Sequence, residues 1–176
     1  GQGAKLTTLR LKDNCPGFTN GGRVAGKYKK PDGKAMIWTG KAPAQRFRNG
    51  IRDITLDVGQ GNPGAIAARF IGNNQACIRN VVFCLTDKGR IGLDLGYSDE
   101  QGPVLVKNVR VEGFDIGIYT WGAVDSITMY NVAVNGQREL GLLSDHQVVS
   151  IENFRSRNDG TAINNLHGDG VITLIG

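Results

Sequence analysis

The sequence predicts an all-β chain, a solenoid in which short parallel strands stack coil upon coil. Three observations predict it. A six-residue pattern returns along the chain, a small-then-apolar pair follows each copy, and 26 glycines stand against five prolines among 176 residues. So much glycine suits a fold with many tight turns rather than a helical bundle.

The six-residue pattern is apolar-x-Asn/Asp-apolar-x-apolar. Its clear copies are Ile51-Arg52-Asp53-Ile54-Thr55-Leu56, Ile78-Arg79-Asn80-Val81-Val82-Phe83, Val106-Lys107-Asn108-Val109-Arg110-Val111, Met129-Tyr130-Asn131-Val132-Ala133-Val134 and Ile151-Glu152-Asn153-Phe154-Arg155-Ser156. Weaker copies begin at Leu6 and Ile172, where Thr8 and Leu174 replace the polar third residue. The starts are separated by 45, 27, 28, 23, 22 and 21 residues, so the later coils are nearly constant in length. The second pattern supplies another short strand per coil: Ala65-Ile66, Gly92-Leu93, Gly117-Ile118, Gly141-Leu142 and Ala162-Ile163. Apolar residues alternate instead of following a 3.6-residue period, which selects strands over helices. One coil cannot bury its own apolar face, so stability must come from stacking on the next. The amides of Asn80, Asn108, Asn131 and Asn153 suit a structural role, bonding backbone at a bend and the equivalent amide one coil away in an internal ladder.

These repeats, with Asn62-Pro63-Gly64-Ala65, Gly92-Leu93-Asp94-Leu95-Gly96 and Glu112-Gly113-Phe114-Asp115-Ile116-Gly117, resemble the pectin-lyase-like superfamily, especially its polygalacturonase-related and pectate-lyase-superfamily members. The resemblance covers residues 48 to 176. It implies a right-handed single-stranded parallel β-helix with coils of about 21 to 28 residues. Residues 1–176 form a single domain on this reading, with a basic loop inserted at about 15–47. Family members carry an N-terminal capping helix and more coils, so the chain reads as a fragment, or as one whose uncapped ends self-associate. An extracellular or cell-surface location follows from the resemblance alone.

Charge is uneven. Residues 15 to 48 hold Arg23, Lys27, Lys29, Lys30, Lys34, Lys41, Arg46 and Arg48 against Asp32, a local +7 within a net +5. Such a segment attracts anionic polymers, or is simply a solvated loop. Cys15, Cys77 and Cys84 have no metal-ligand or disulfide spacing and read as free thiols. Gly59-Gln60-Gly61-Asn62-Pro63-Gly64 matches a dinucleotide-binding spacing, but Pro63 removes an amide from the phosphate cradle. A glycine-rich turn is the better account. No cofactor and no metal is expected, and no apolar run is long enough to span a membrane.

Registering the second strands on their small residue places Ala67, Asp94, Tyr119, Leu143 and Asn164 on the solvent side. Arg69, Gly96, Trp121, Asp145 and Leu166 follow, then Phe70, Tyr97, Gly122, His146 and His167. Carboxylates, aromatics and both histidines suit saccharide binding, in which an aromatic face covers C–H surface and charged groups take hydroxyls or carboxylates. The expectation is therefore a polysaccharide partner, an anionic one included, for a glycoside hydrolase or lyase-like protein. Asp94 and Asp145 are the candidate acid and base; Arg69, Tyr119, Trp121, His146 and His167 are the candidate substrate-binding residues. The alternative is a non-catalytic structural or glycan-binding segment of a larger secreted or surface protein. A nucleic-acid role stands third, since aromatics are sparse in the basic segment. The polygalacturonase motifs are incomplete. Asn158-Asp159-Gly160 and His167-Gly168-Asp169-Gly170 are partial echoes, and the family's paired aspartates are missing.

Overall fold

The chain is described by a computed structural model covering residues 2–20, 32–41, 46–97, 100–122 and 126–176. It is a parallel β-solenoid of about five turns. Seven strands form one sheet: β1 (Thr8–Arg10), β3 (Gly50–Asp57), β5 (Ala76–Cys84), β7 (Val104–Glu112), β9 (Ser126–Asn135), β11 (Val148–Arg157) and β13 (Val171–Ile175). The other six form the facing sheet: β2 (Lys34–Trp38), β4 (Ala65–Arg69), β6 (Ile91–Leu95), β8 (Ile116–Trp121), β10 (Leu140–Asp145) and β12 (Thr161–Asn165). Among the described residues there is no helix, and so none able to cross a membrane.

The six-residue pattern has a local cause. Its apolar positions 1, 4 and 6 cannot share one face of a regular strand, because the step from 1 to 4 is odd. The third residue resets the alternation by taking a left-handed backbone: φ is 57° at Asp53, 55° at Asn80, 53° at Asn108, 57° at Asn131 and 56° at Asn153. Asn and Asp tolerate this region better than other side-chain-bearing residues. Ile78, Val81 and Phe83 thereby all point into the core, as do Val106, Val109 and Val111 one coil on. The amide ladder exists: Asn80 Nδ2 donates to Asp53 Oδ1 at 2.8 Å, Asn108 to Asn80 at 2.9 Å and Asn131 to Asn108 at 3.2 Å. It lies on the solvent side rather than inside, because the core is filled by the neighbouring apolar side chains.

The small residue of the second strand is a close-approach position. A Cβ at Gly92, Gly117 or Gly141 would stand 2.8, 2.5 or 2.4 Å from a carbonyl oxygen of the following coil. Three register expectations are corrected. Ile66 pairs with Ile91, and Ala68 with Leu93, so β4 is shifted by two residues relative to the Ala65-Ile66 alignment. Leu9 pairs with Leu56, and Leu174 with Ile151, so both weak terminal copies are also displaced by two. Finally, the stretch expected to be a basic loop contains β2, which pairs with β4. Its Arg23, Lys27, Lys29 and Lys30 lie outside the described residues.

The glycine-rich turn at 59–64 offers no free phosphate cradle. The Gly59 amide donates to Asp57, the Gln60 amide to Asp13 and the Gly61 amide to Asp87, all at 2.8–3.0 Å. The chain's own carboxylates fill the place an anion would need.

Candidate functional site

Parallel pairing without offset stacks equivalent residues of successive coils. On the outward side of the second sheet one such row runs Trp38, Arg69, Asp94, Tyr119, Leu143, Asn164. Arg69 thus stands directly over Asp94, two residues from where the repeat alignment placed it. Its Nε donates to Asp94 Oδ2 at 2.6 Å, while Asp94 Oδ1 accepts from the Gly96 amide at 2.9 Å. Asp94 is almost fully buried. Arg69 is thus engaged by Asp94 in this geometry.

Tyr119 and Leu143 are also buried, against Ile66, Ile91 and Ile116 in a second apolar cluster. The row expected to face solvent is largely packed away. Burial pushes the Tyr119 phenol above the usual tyrosine range, reinforced by the charges of Asp145 and Asp94. As a sugar platform Tyr119 is too enclosed. Aromatic surface that is available comes instead from Trp38 and Tyr97. Trp38 is 44 % exposed and meets Tyr97 edge-on at 5.2 Å, and the Arg69 guanidinium lies 5.0 Å from the Tyr97 ring centre. Arg69, Asp94, Tyr97 and Tyr119 line a small cavity of about 180 Å³ with Asp32 and Gly33.

Asp94 and Asp145 are not neighbours in the stack. They lie two coils apart and two register positions apart, since Asp94 aligns with Tyr119 and Leu143 while Asp145 aligns with Trp121. Strand spacing and rise then put their Cα atoms about 12 Å apart. Asp145 instead gathers both histidines. Its Oδ1 lies 2.5 Å from His146 Nδ1 and 3.3 Å from His167 Nε2. The imidazoles stack with centres 3.9 Å apart and planes at 27°.

Register explains the stack. Ser144 pairs with Asn165, so counting on by two brings His146 over His167 in adjacent coils. The Gly170 amide closes a turn onto the His167 carbonyl at 3.0 Å, and Asn165 Nδ2 bonds the Gly170 carbonyl at 2.9 Å, which fixes how this corner presents His167. Asp169 Oδ1 stands 3.6 Å from His146 Nε2. His146 has φ 60°, where the preceding coil uses Gly122 at φ 117°. Histidine adopts this left-handed region more readily than most side-chain-bearing residues.

Of the residues expected from the sequence, the structure thus brings together Asp145, His146 and His167 beside the partly exposed Trp121, and separates Asp94 and Arg69 into their own ion pair. Trp38, Tyr97 and Asp169 complete the face. Trp38 was hidden by its place in an apparent loop, and Asp169 by lying outside every repeat. Compared with protein-family models, curated proteins and solved structures, the chain matches none.

Proposed function

We propose that this chain is a carbohydrate-active β-solenoid that binds a polysaccharide on the outward side of its second sheet and carries out acid–base chemistry at Asp145, His146 and His167. The observation behind the reading is the Asp145 carboxylate set against one nitrogen of each of two stacked imidazoles, next to Trp121. A carboxylate that orients an imidazole makes it a proton acceptor of defined direction. Trp121, and more distantly Trp38 and Tyr97, offer the apolar faces a pyranose ring stacks upon.

The arrangement suits elimination better than two-carboxylate hydrolysis, which requires paired carboxyl groups about 5 to 9.5 Å apart. In an elimination on a uronate polymer an imidazole takes the proton from the carbon beside the carboxylate. The freed electron pair forms the double bond, and the glycosidic oxygen leaves with a proton from a second donor. The net charge of +5 favours such an anionic chain. A secreted or surface setting accords with that substrate.

A second reading, a glycan-binding or structural segment without catalysis, is favoured by the extent to which the second sheet's outward side is consumed by packing, with Asp94, Tyr119 and Leu143 all buried. The test is unsaturated-product absorbance and reducing-end release on polygalacturonate and neutral glucans, for the natural chain, Asp145→Asn and His167→Gln. Turnover reduced by about a hundredfold or more in both variants supports the catalytic reading. Polymer binding without turnover leaves the second reading. Neither binding nor turnover from a folded chain overturns both.

A further inference from the structure

We propose that Asp145, His146 and His167 form a binding site for a divalent transition metal of the zinc type. The inference concerns the same corner as the proposed function and is argued from ligand geometry without any sugar; nitrogens that hold a metal no longer accept protons, so metal binding and imidazole acid–base chemistry are alternative uses of these atoms.

Among the described residues these three are the one group whose potential ligand atoms converge, all within 4.8 Å of one another. His146 Nδ1 and His167 Nε2 both point at a single carboxylate oxygen. The two rings stack at 3.9 Å and 27°, so their in-plane lone pairs run side by side, and a cation held by all three groups requires the imidazoles to splay apart at that edge. Tetrahedral zinc with bonds near 2.0–2.1 Å has ligand-to-ligand edges of about 3.3–3.4 Å. The Asp145 to His167 separation of 3.3 Å already equals that edge. The Asp145 to His146 contact of 2.5 Å must widen by roughly 0.8 Å, which the His146 ring, partly open to solvent, meets by swinging away from the His167 ring.

The surroundings fit a held site rather than a chance cluster. The three side chains are 13, 32 and 16 % exposed, open enough for entry and shielded enough to limit competition from water. Asp169 lies behind His146, toward the nitrogen that does not face Asp145. At 3.6 Å and largely exposed it makes no hydrogen bond to the ring, but a small shift would bring it to the outer-partner position of a metal-bound histidine. Two imidazoles and one carboxylate suit zinc, cobalt, nickel or copper in preference to magnesium or calcium, which take all-oxygen shells. Three protein ligands leave a fourth position open, as at sites where a metal polarises a bound oxygen.

The experiment is calorimetric titration of the untagged, chelator-treated chain with zinc chloride, and cobalt(II) absorption as an independent report of tetrahedral N/O ligation. A Cys15→Ser, Cys77→Ser, Cys84→Ser background removes thiol ligation. His146→Asn, which keeps a residue tolerant of the left-handed backbone, and His167→Gln are compared with it, and circular dichroism confirms that each is folded. One zinc per chain, intense cobalt bands, and affinity falling at least about tenfold in each folded variant would support the site. Zinc affinity unchanged by both substitutions, cobalt spectra of octahedral type, or no binding at millimolar metal would overturn it. Either outcome leaves sugar binding to be judged separately, since no glycan is present.

Discussion

Asparagine in the middle of a strand is ordinarily a poor choice, yet in this chain the strands turn on it. At Asn108, φ of 53° lets both Val106 and Val109 reach the core, and the amide bridges to Asn80 and from Asn131. Asn108→Ala should lose about 1–2 kcal/mol in denaturant unfolding, from the left-handed backbone cost and the broken ladder together. Asn108→Gly should recover the larger, conformational share. Equal losses in the two variants would show that the backbone conformation is not what matters. Cys84 makes a second residue-level case. Burial, then the negative charges of Asp57 and Glu112, push its thiol up to about 11. Thiolate is the reactive form, so Cys84 should alkylate at pH 8 at least about tenfold more slowly than an ordinary exposed thiol. Its folded state holds the proton more tightly than the unfolded chain, so its contribution to stability is present at neutral pH and declines as pH rises from about 9 toward 11. Mass spectrometry of timed iodoacetamide labelling reads the rate; labelling as fast as in urea would contradict the burial.

At the scale of elements, the second-sheet strands are held apart by the smallest side chain. Gly117 in β8 faces the Gly141 carbonyl at 2.5 Å from where a Cβ would stand, and Val134 at 3.1 Å. Gly117→Ala should therefore cost about 1–3 kcal/mol through forced strand separation, the reverse of what alanine does in most strands. A neutral or stabilising result by thermal melting would mean that β8 and β10 can slide apart freely. The link between β4 and β6 is ionic. Asp94→Asn leaves the Arg69 guanidinium, 14 % exposed, without its charged partner and should destabilise by about 2–4 kcal/mol. That loss should appear in urea unfolding whether or not the chain is catalytic. Apart from β2, which lies in the stretch expected to be a loop, the strands of both sheets could be read from spacing because register repeats wherever coils have similar length. Reading failed where it did not: β4 has no glycine to anchor it, so Arg69 was aligned two residues away from Asp94. It failed again for solvent exposure, since alternation identifies the outward side of a strand but not the apolar residues that cover Tyr119 and Leu143. The convergence of His146 and His167 was legible as a shared row; their contact with Asp145 was not, because it depends on side-chain directions at the end of the strand that spacing does not carry.

For the molecule as a whole, parallel pairing makes each coil depend chiefly on its two neighbours. Burial is complete through β5 to β10 at the inward positions, whereas Phe154 and Ile163 are only partly covered and Leu174 is 60 % exposed. Hydrogen exchange should accordingly be slowest in β5, β7 and β9 and faster by orders of magnitude in β12 and β13. Uniform protection would indicate a further contact over β13 in solution. The seven-strand and six-strand sheets have one more property that bears on any ligand. Successive coils advance by one strand spacing, about 4.8 Å, and keep side-chain direction, so positions along the axis form a ruler with fixed graduations. Groups in one row can be separated only by whole steps, and intermediate distances require moving along the strand as well. A polymer lying parallel to the axis is read in units of the coil, while one lying across it is read in units of the residue. Trp121 and Asp145 sit one graduation apart on the same row, and His146 and His167 one apart on the next, so the corner they share addresses a span about one coil step long.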